Sequence, residues 1–195
     1  MSEKISLDSS VMKKQQISNI GSIYDEYLNT LYSYAIHLGF DEPTVMDAIH
    51  DIFYKLCIQH ESLNNIANLK FYLLRSLRNR LIDIYRTNKL YSGLFTAQND
   101  FEENMAFNLS VTIEDELIMA EDAEEIRKAV NNVLNRLSNR QREIIYLRYK
   151  QGYSYEEIAE IMQISVAACR NLISKSLIKL KESPLSKVLF LLFIT

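Results

Sequence analysis

Two groups of side chains in this sequence have the types and spacing to handle a nucleic acid. The first lies between Tyr72 and Arg86. On a helix turning about 100° per residue, with Arg75 at zero, Arg78, Asn79 and Arg86 fall within about 60° of it, and Tyr72 sits at the edge of the same stripe. Leu73, Leu77, Leu81 and Ile84 gather on the opposite side. Guanidinium groups in a row neutralise phosphates, and a tyrosine ring stacks on an unpaired base for roughly 1–3 kcal/mol. A charged face turned to water is the plainer reading of the same pattern, and the projection alone does not separate the two. The second group is Ala167, Arg170, Asn171, Ser174 and Lys175, on a helix whose other side carries Cys169, Leu172, Ile173, Leu177 and Leu180. Small residues let a helix approach a groove closely, and arginine and asparagine carry the paired donors and acceptors that match guanine and adenine edges. The alternative here is a plain helical hairpin.

Other chemistries find no support. His37, His50 and His60 are too scattered for a helical ligand pair, and no HExxH accompanies them. Cys57 and Cys169 are far apart, form no CxxC, and lie on apolar stripes as small core residues. There is no glycine-rich phosphate loop, no GxSxG and no paired-carboxylate motif. The expectation is a protein that is not an enzyme and needs neither metal nor cofactor.

The elements that would position the two groups are helices. Glycine (4) and proline (2) are too scarce for a turn-rich β fold. Ile23, Tyr27, Leu28, Leu31, Tyr34, Ala35 and Leu38 recur at threes and fours until Gly39. Asp41 is placed to cap a second helix, with Pro43 in its first turn and Val45, Ala48, Ile49, Ile52, Phe53 and Leu56 as its apolar stripe. A third runs from about Leu69 to Arg86. Ile126, Val130, Val133, Leu134 and Leu137 mark a fourth. Ser138–Gln141 and Ser154–Glu157 are capping-box patterns opening two more, the second over Glu156–Met162, and Ser165 caps a last helix to about Lys181. A short helix, a turn and a second capped helix give helix-turn-helix spacing.

Charge divides the chain in the same places. Residues 1–90 carry 10 basic and 10 acidic groups, residues 91–125 carry 10 acidic and no basic ones, and residues 126–195 carry 12 basic and 5 acidic. The net charge of −3 is thus the sum of a neutral part, an acidic part and a basic part. The expected architecture is all-α: a three- to four-helix bundle over 18–90, an acidic linker over 91–122, a helix-turn-helix bundle over 123–182, and an apolar tail over 183–195. The N-terminal residues lack the apolar segment of a signal peptide, and the apolar run Val188–Ile194 is far short of the roughly 20 residues that span a bilayer, so a cytoplasmic protein without stable membrane insertion is expected.

Several of these segments resemble the extracytoplasmic-function group of bacterial sigma factors, members of the sigma-70 family that keep only regions 2 and 4. Asp47-Ala48-Ile49-His50-Asp51-Ile52-Phe53 resembles the region 2 helix that docks on the clamp helices of RNA polymerase, and Leu73 to Arg86 resembles the helix that opens and holds the −10 element. Leu137 to Glu143 and Tyr155 to Ile161 match region 4, whose last helix reads the −35 element. The resemblance covers about residues 20–86 and 125–182. It implies core polymerase contacts at Asp47, His50, Asp51 and Phe53, and −10 contacts at Tyr72, Arg75, Arg78, Asn79 and Arg86. By the same analogy the polar segment Gln59–Asn68, with Asn64 and Asn65, would pocket an extruded base. The −35 contacts would be Ala167, Arg170, Asn171, Ser174 and Lys175. The implied partners are core RNA polymerase, promoter DNA and an anti-sigma factor.

Three positions depart from the family pattern. His50 stands where glutamine is usual, Phe71-Tyr72 occupy the place of a common tryptophan, and Gln163 replaces a frequent glycine, which points to a differently built turn. The acidic residues Glu102, Glu103, Glu114, Asp115 and Glu116 could shield the two basic surfaces when polymerase is absent; a solvated linker is the equal alternative. An operator-binding regulator and a helical module without DNA are the rival functions.

Overall fold

The computed structural model describes residues 2–58, 68–91, 107–108 and 128–182, with backbone alone for 2–19 and 89–91. Asn64, Asn65, the five acidic residues named above and the tail 183–195 lie outside the described residues. The chain divides into two compact units, one of residues 1–36 and 40–84, the other of residues 37–39 and 85–195.

The first unit is built on α1 (Ser2–His37), α2 (Glu42–Ile58) and α3 (Leu69–Tyr91). Gly39, at φ 84, takes the left-handed conformation in which a Cβ would clash, and so ends the first helical run. Asp41 then caps α2: its carboxylate accepts from the Thr44 hydroxyl at 2.7 Å and the Thr44 amide at 3.4 Å. The expected apolar stripes meet as the core. Leu31 and Tyr34 of α1, Val45 and Ile49 of α2, and Leu73, Leu77 and Leu81 of α3 are all buried. Asn68 caps α3 through its side chain, which accepts from the Phe71 amide at 3.5 Å.

In the second unit a helix over 128–134, here α4, leads to α5 (Asn139–Ile145). Both expected capping boxes form. Ser138 Oγ accepts from the Gln141 amide while Gln141 Oε1 accepts from the Ser138 amide, and Ser154 and Glu157 repeat the exchange before α6 (Tyr155–Met162). Between them α5 widens into one π-turn, Tyr146–Lys150, closed by the Gln151 amide on the Tyr146 carbonyl at 3.1 Å. Ser165 caps α7 (Val166–Lys181), its hydroxyl accepting from the Ala168 amide.

The turn between α6 and α7 corrects an expectation. Gln163 does not force a different turn; it adopts the left-handed conformation itself, at φ 52 and ψ 49. Its amide reaches back to the Ala159 carbonyl, the bond a glycine would make there. The backbone geometry is kept and the strain falls on the side chain's Cβ.

Phe107 adds an element that the acidic composition hid. Its ring is 1 % exposed and lies 5.5 Å from the Tyr146 ring, and its amide donates to Asn139 Oδ1 at 3.2 Å. At this point the segment read as a solvated linker is fastened to the second unit at the start of α5.

Candidate nucleic-acid interfaces

On α7 the buried positions Cys169, Ile173, Ser176 and Leu180 form one stripe. Burial raises the Cys169 thiol above its ordinary range, which leaves it a packing residue and not a nucleophile. Cys57, expected to be its counterpart in the other unit, is only half-buried. Opposite the α7 stripe, Ala167, Arg170, Asn171, Ser174 and Lys175 are all exposed. Ala168 shares that surface, so the first turn beyond the Ser165 cap presents two methyl groups where a groove wall would approach. Ile178, 55 % exposed, lies one turn beyond Ser174 and Lys175 on the same side and was not among the expected contact residues.

Arg170 does not stand alone. Its Nη2 lies 3.6 Å from Glu156 Oε1, and its guanidinium sits 5.4 Å from the centre of the Tyr155 ring. Arg148, from the π-turn, lies over the same ring at 4.9 Å and donates through Nη1 to the Tyr153 carbonyl at 2.7 Å. Tyr155, Glu156 and Arg148 carried no signal as site residues, because their relation to Arg170 is made by tertiary packing of α6 on α7 and not by spacing along the chain.

On α3 the solvent face carries Tyr72, Arg75, Asn79 and Arg86, with the Arg75 guanidinium 5.8 Å from the centre of the Tyr72 ring. An aromatic plane and a cation are thereby offered side by side. Arg78 is a correction. It is 2 % exposed and belongs to the buried side of the helix. The reason is angular: the buried arc includes Leu74 and Ile82 as well as the expected leucines, and extends to about 340° from Arg75, so Arg78 at about 300° falls inside it.

On α2, Asp47 and His50 are exposed and Asp51 is half-exposed. Asp51 Oδ2 is held by Arg80 of α3, at 2.8 Å from Nε and 2.6 Å from Nη2. His50 Nε2 lies 3.3 Å from the Tyr24 hydroxyl. Phe53 is the second correction: it is 5 % exposed and packs edge-on against Tyr24, with ring centres 5.0 Å apart. The motif from Asp47 to Phe53 spans nearly two turns and cannot face one way. The large hydrophobic residues exposed on α2 are Tyr54, at 67 %, and Ile58, at 61 %. With Asp47 and Asp51 they recur at intervals of four, three and four, a single strip along the helix.

Among the described residues no group of three or more His, Cys, Asp or Glu could hold a metal ion, and no helix is long and apolar enough to cross a membrane.

Comparison with known proteins places this geometry. The family model for sigma-70 region 2 matches residues 23–91, and that for sigma-70 region 4 matches residues 127–180. The RNA polymerase sigma factor SigZ of Bacillus subtilis is 25 % identical over 166 residues, which cover 84 % of this chain and 86 % of that protein. The ECF RNA polymerase sigma factor SigM of the same organism is 25 % identical over 171 residues, covering 83 % and 93 % respectively. Among solved structures, the sigma factor RpoE of Bartonella quintana, determined with the anti-sigma factor NepR, superposes with a TM-score of 0.56 at 26 % identity, over 84 % of this chain and 95 % of RpoE. Two helical units in this order, with a capped helix-turn-helix in the second, and matches to both regions lead to one conclusion: the chain belongs to the extracytoplasmic-function group of the sigma-70 family, the factors that direct RNA polymerase to promoters.

Proposed function

We propose that the chain binds core RNA polymerase through the α2 strip of Asp47, Asp51, Tyr54 and Ile58, with His50 beside it. On this reading it reads the −10 element with the solvent face of α3, at Tyr72, Arg75, Asn79 and Arg86. It reads the −35 element with α7, at Ala167, Arg170, Asn171, Ser174 and Lys175. The observation that carries this reading is the exposed face of α7, where small residues precede an arginine and an asparagine on a helix with its own serine cap. The division of labour follows from physics. Cations of α7 hold phosphates and its amide and guanidinium read base edges in the major groove. The tyrosine of α3 stacks on bases that have left the duplex, offsetting an unstacking cost of a few kcal/mol. Polymerase supplies the chemistry, and this chain supplies affinity and sequence choice from the cytoplasm.

The region 2 module is assigned to 18–90, the linker to 91–122 and the region 4 module to 123–182. RpoE is seen with an anti-sigma factor, and the likeness supports a partner of that class here. The test is a binding titration of core polymerase plus this chain on a promoter fragment with an unpaired −10 segment. Alanine at Tyr72 and Arg75 is expected to weaken binding to the unpaired form by tenfold or more, about 1.4 kcal/mol, while leaving the affinity for core polymerase intact. Equal affinity of variant and wild type for that fragment would refute the α3 assignment.

A further inference from the structure

The reading of α7 as a base-contacting helix leaves open how Arg170, a long and exposed side chain, is aimed. We infer that Tyr155 and Glu156 of α6 are positioning residues that hold the Arg170 guanidinium for base reading, so the −35 surface is a two-helix device and not one helix face. This inference rests on the α7 reading given above.

Three observations converge. The Tyr155 ring carries two guanidiniums, Arg170 at 5.4 Å and Arg148 at 4.9 Å. Arg148 is itself fixed by its 2.7 Å bond to the Tyr153 carbonyl, so the ring is packed against a held group. Glu156 Oε1, 3.6 Å from Arg170 Nη2, restrains the guanidinium from a second direction. Tyr155 and Glu156 are the first residues of α6, and the Ser154 capping box fixes that helix start on both sides of the cap.

The energetics favour a role in direction over one in stability. The Arg170 and Glu156 side chains are 62 % and 63 % exposed, so water screens their pairing and it contributes little to folding. A guanidinium held between a ring and a carboxylate, by contrast, has already lost part of the rotamer freedom it must give up to make two parallel hydrogen bonds to a guanine edge. Glu156 also biases the choice of target. A carboxylate beside the guanidinium repels a phosphate oxygen more than it repels the uncharged acceptors of a base. The pair therefore steers Arg170 away from the backbone, where contacts carry no sequence information, and toward a base.

The experiment uses holoenzyme reconstituted from core polymerase and the full chain, selecting from a promoter library randomised through the −35 element. Arg170→Ala should reduce the preference at one base-pair position by about tenfold or more. Tyr155→Leu should reduce the preference at that same position by roughly threefold, the scale of one exposed cation–π contact, and Tyr155→Phe should retain it. Glu156→Gln should also reduce the preference there and make binding to non-promoter DNA tighter. Two results would overturn the inference: Tyr155→Leu keeping the full preference at the Arg170 position, or losing preference evenly at every position, as loosened packing of α6 on α7 would. If Arg170→Ala leaves every position unchanged, the α7 reading itself fails, and the inference with it.

Discussion

Replacing Tyr54 and replacing its neighbour Phe53 should have opposite consequences, and the contrast separates docking from folding. Phe53 is 5 % exposed and lies edge-on to Tyr24 at 5.0 Å. Truncation to alanine removes a buried aromatic ring, which costs about 3–5 kcal/mol in cores of this kind and includes the 0.5–1.5 kcal/mol of an aromatic pair. That is a large share of the roughly 5–15 kcal/mol by which a domain is stable. Tyr54 is 67 % exposed, so its truncation should change stability by no more than about 0.5 kcal/mol. If Tyr54 anchors the polymerase interface, its loss should cost about 2 kcal/mol of binding, near thirtyfold in affinity. Urea unfolding followed by circular dichroism gives the first quantity, and fluorescence titration with core polymerase gives the second. A Tyr54→Ala variant that binds core polymerase as tightly as the wild type would refute the assignment of the α2 strip. A Phe53→Ala variant of unchanged stability would refute the packing argument.

Other perturbations follow from single local features. Gln163→Gly should stabilise the protein by about 0.5–1 kcal/mol, because the left-handed conformation costs a residue with a Cβ roughly 1–2 kcal/mol while glycine loses about 0.5–1 kcal/mol more entropy on folding; a lower unfolding midpoint would contradict the turn assignment. The Thr44 hydroxyl and amide hold the Asp41 carboxyl below the usual carboxylate range. A depressed folded value means that the cap's contribution is present above the ordinary range, about pH 4, and is lost as pH falls through the depressed value. The stability difference between wild type and Asp41→Ala should accordingly be constant near neutrality and close in acid; a difference independent of pH would exclude a charged cap. A thiol reagent should modify Cys57 quickly and Cys169 only on unfolding, since Cys169 is fully buried and burial raises its thiol; equal rates would contradict the packing of α7.

The parts of this structure that were legible in the sequence are those encoded by near neighbours. Ser138 with Gln141 and Ser154 with Glu157 announce helix starts because both halves of a capping box lie within one turn. The face carrying Ala167, Arg170, Asn171, Ser174 and Lys175 was legible because five apolar positions define the other side of α7 without ambiguity. Arg78 was misread because Leu73, Leu77, Leu81 and Ile84 alone were taken to mark the core stripe, which left it at the edge of the Arg75 face; Leu74 and Ile82 extend the buried arc past it. Phe53 was read both as a core residue, in keeping with its burial, and as a polymerase contact within a contiguous motif, although successive residues of a helix face different directions. Tyr54 and Ile58 lie outside the apolar stripe of the second helix, yet they drew no notice, because the resemblance to region 2 rested on the segment from Asp47 to Phe53. The anchoring of Phe107, the π-turn at Tyr146–Lys150, and the contacts of Tyr155 and Glu156 with Arg170 depend on segments brought together only by folding, and no periodicity reports them.

The measurement that tests the central claim most directly is run-off transcription by bacterial core polymerase, with and without this chain, on a pool of promoter fragments from the genome that encodes it. The account predicts discrete transcripts that depend on the added chain and disappear with alanine at Arg75 and Asn79, or at Arg170 and Asn171. No chain-dependent transcript, together with no complex between the chain and core polymerase on gel filtration, would contradict it.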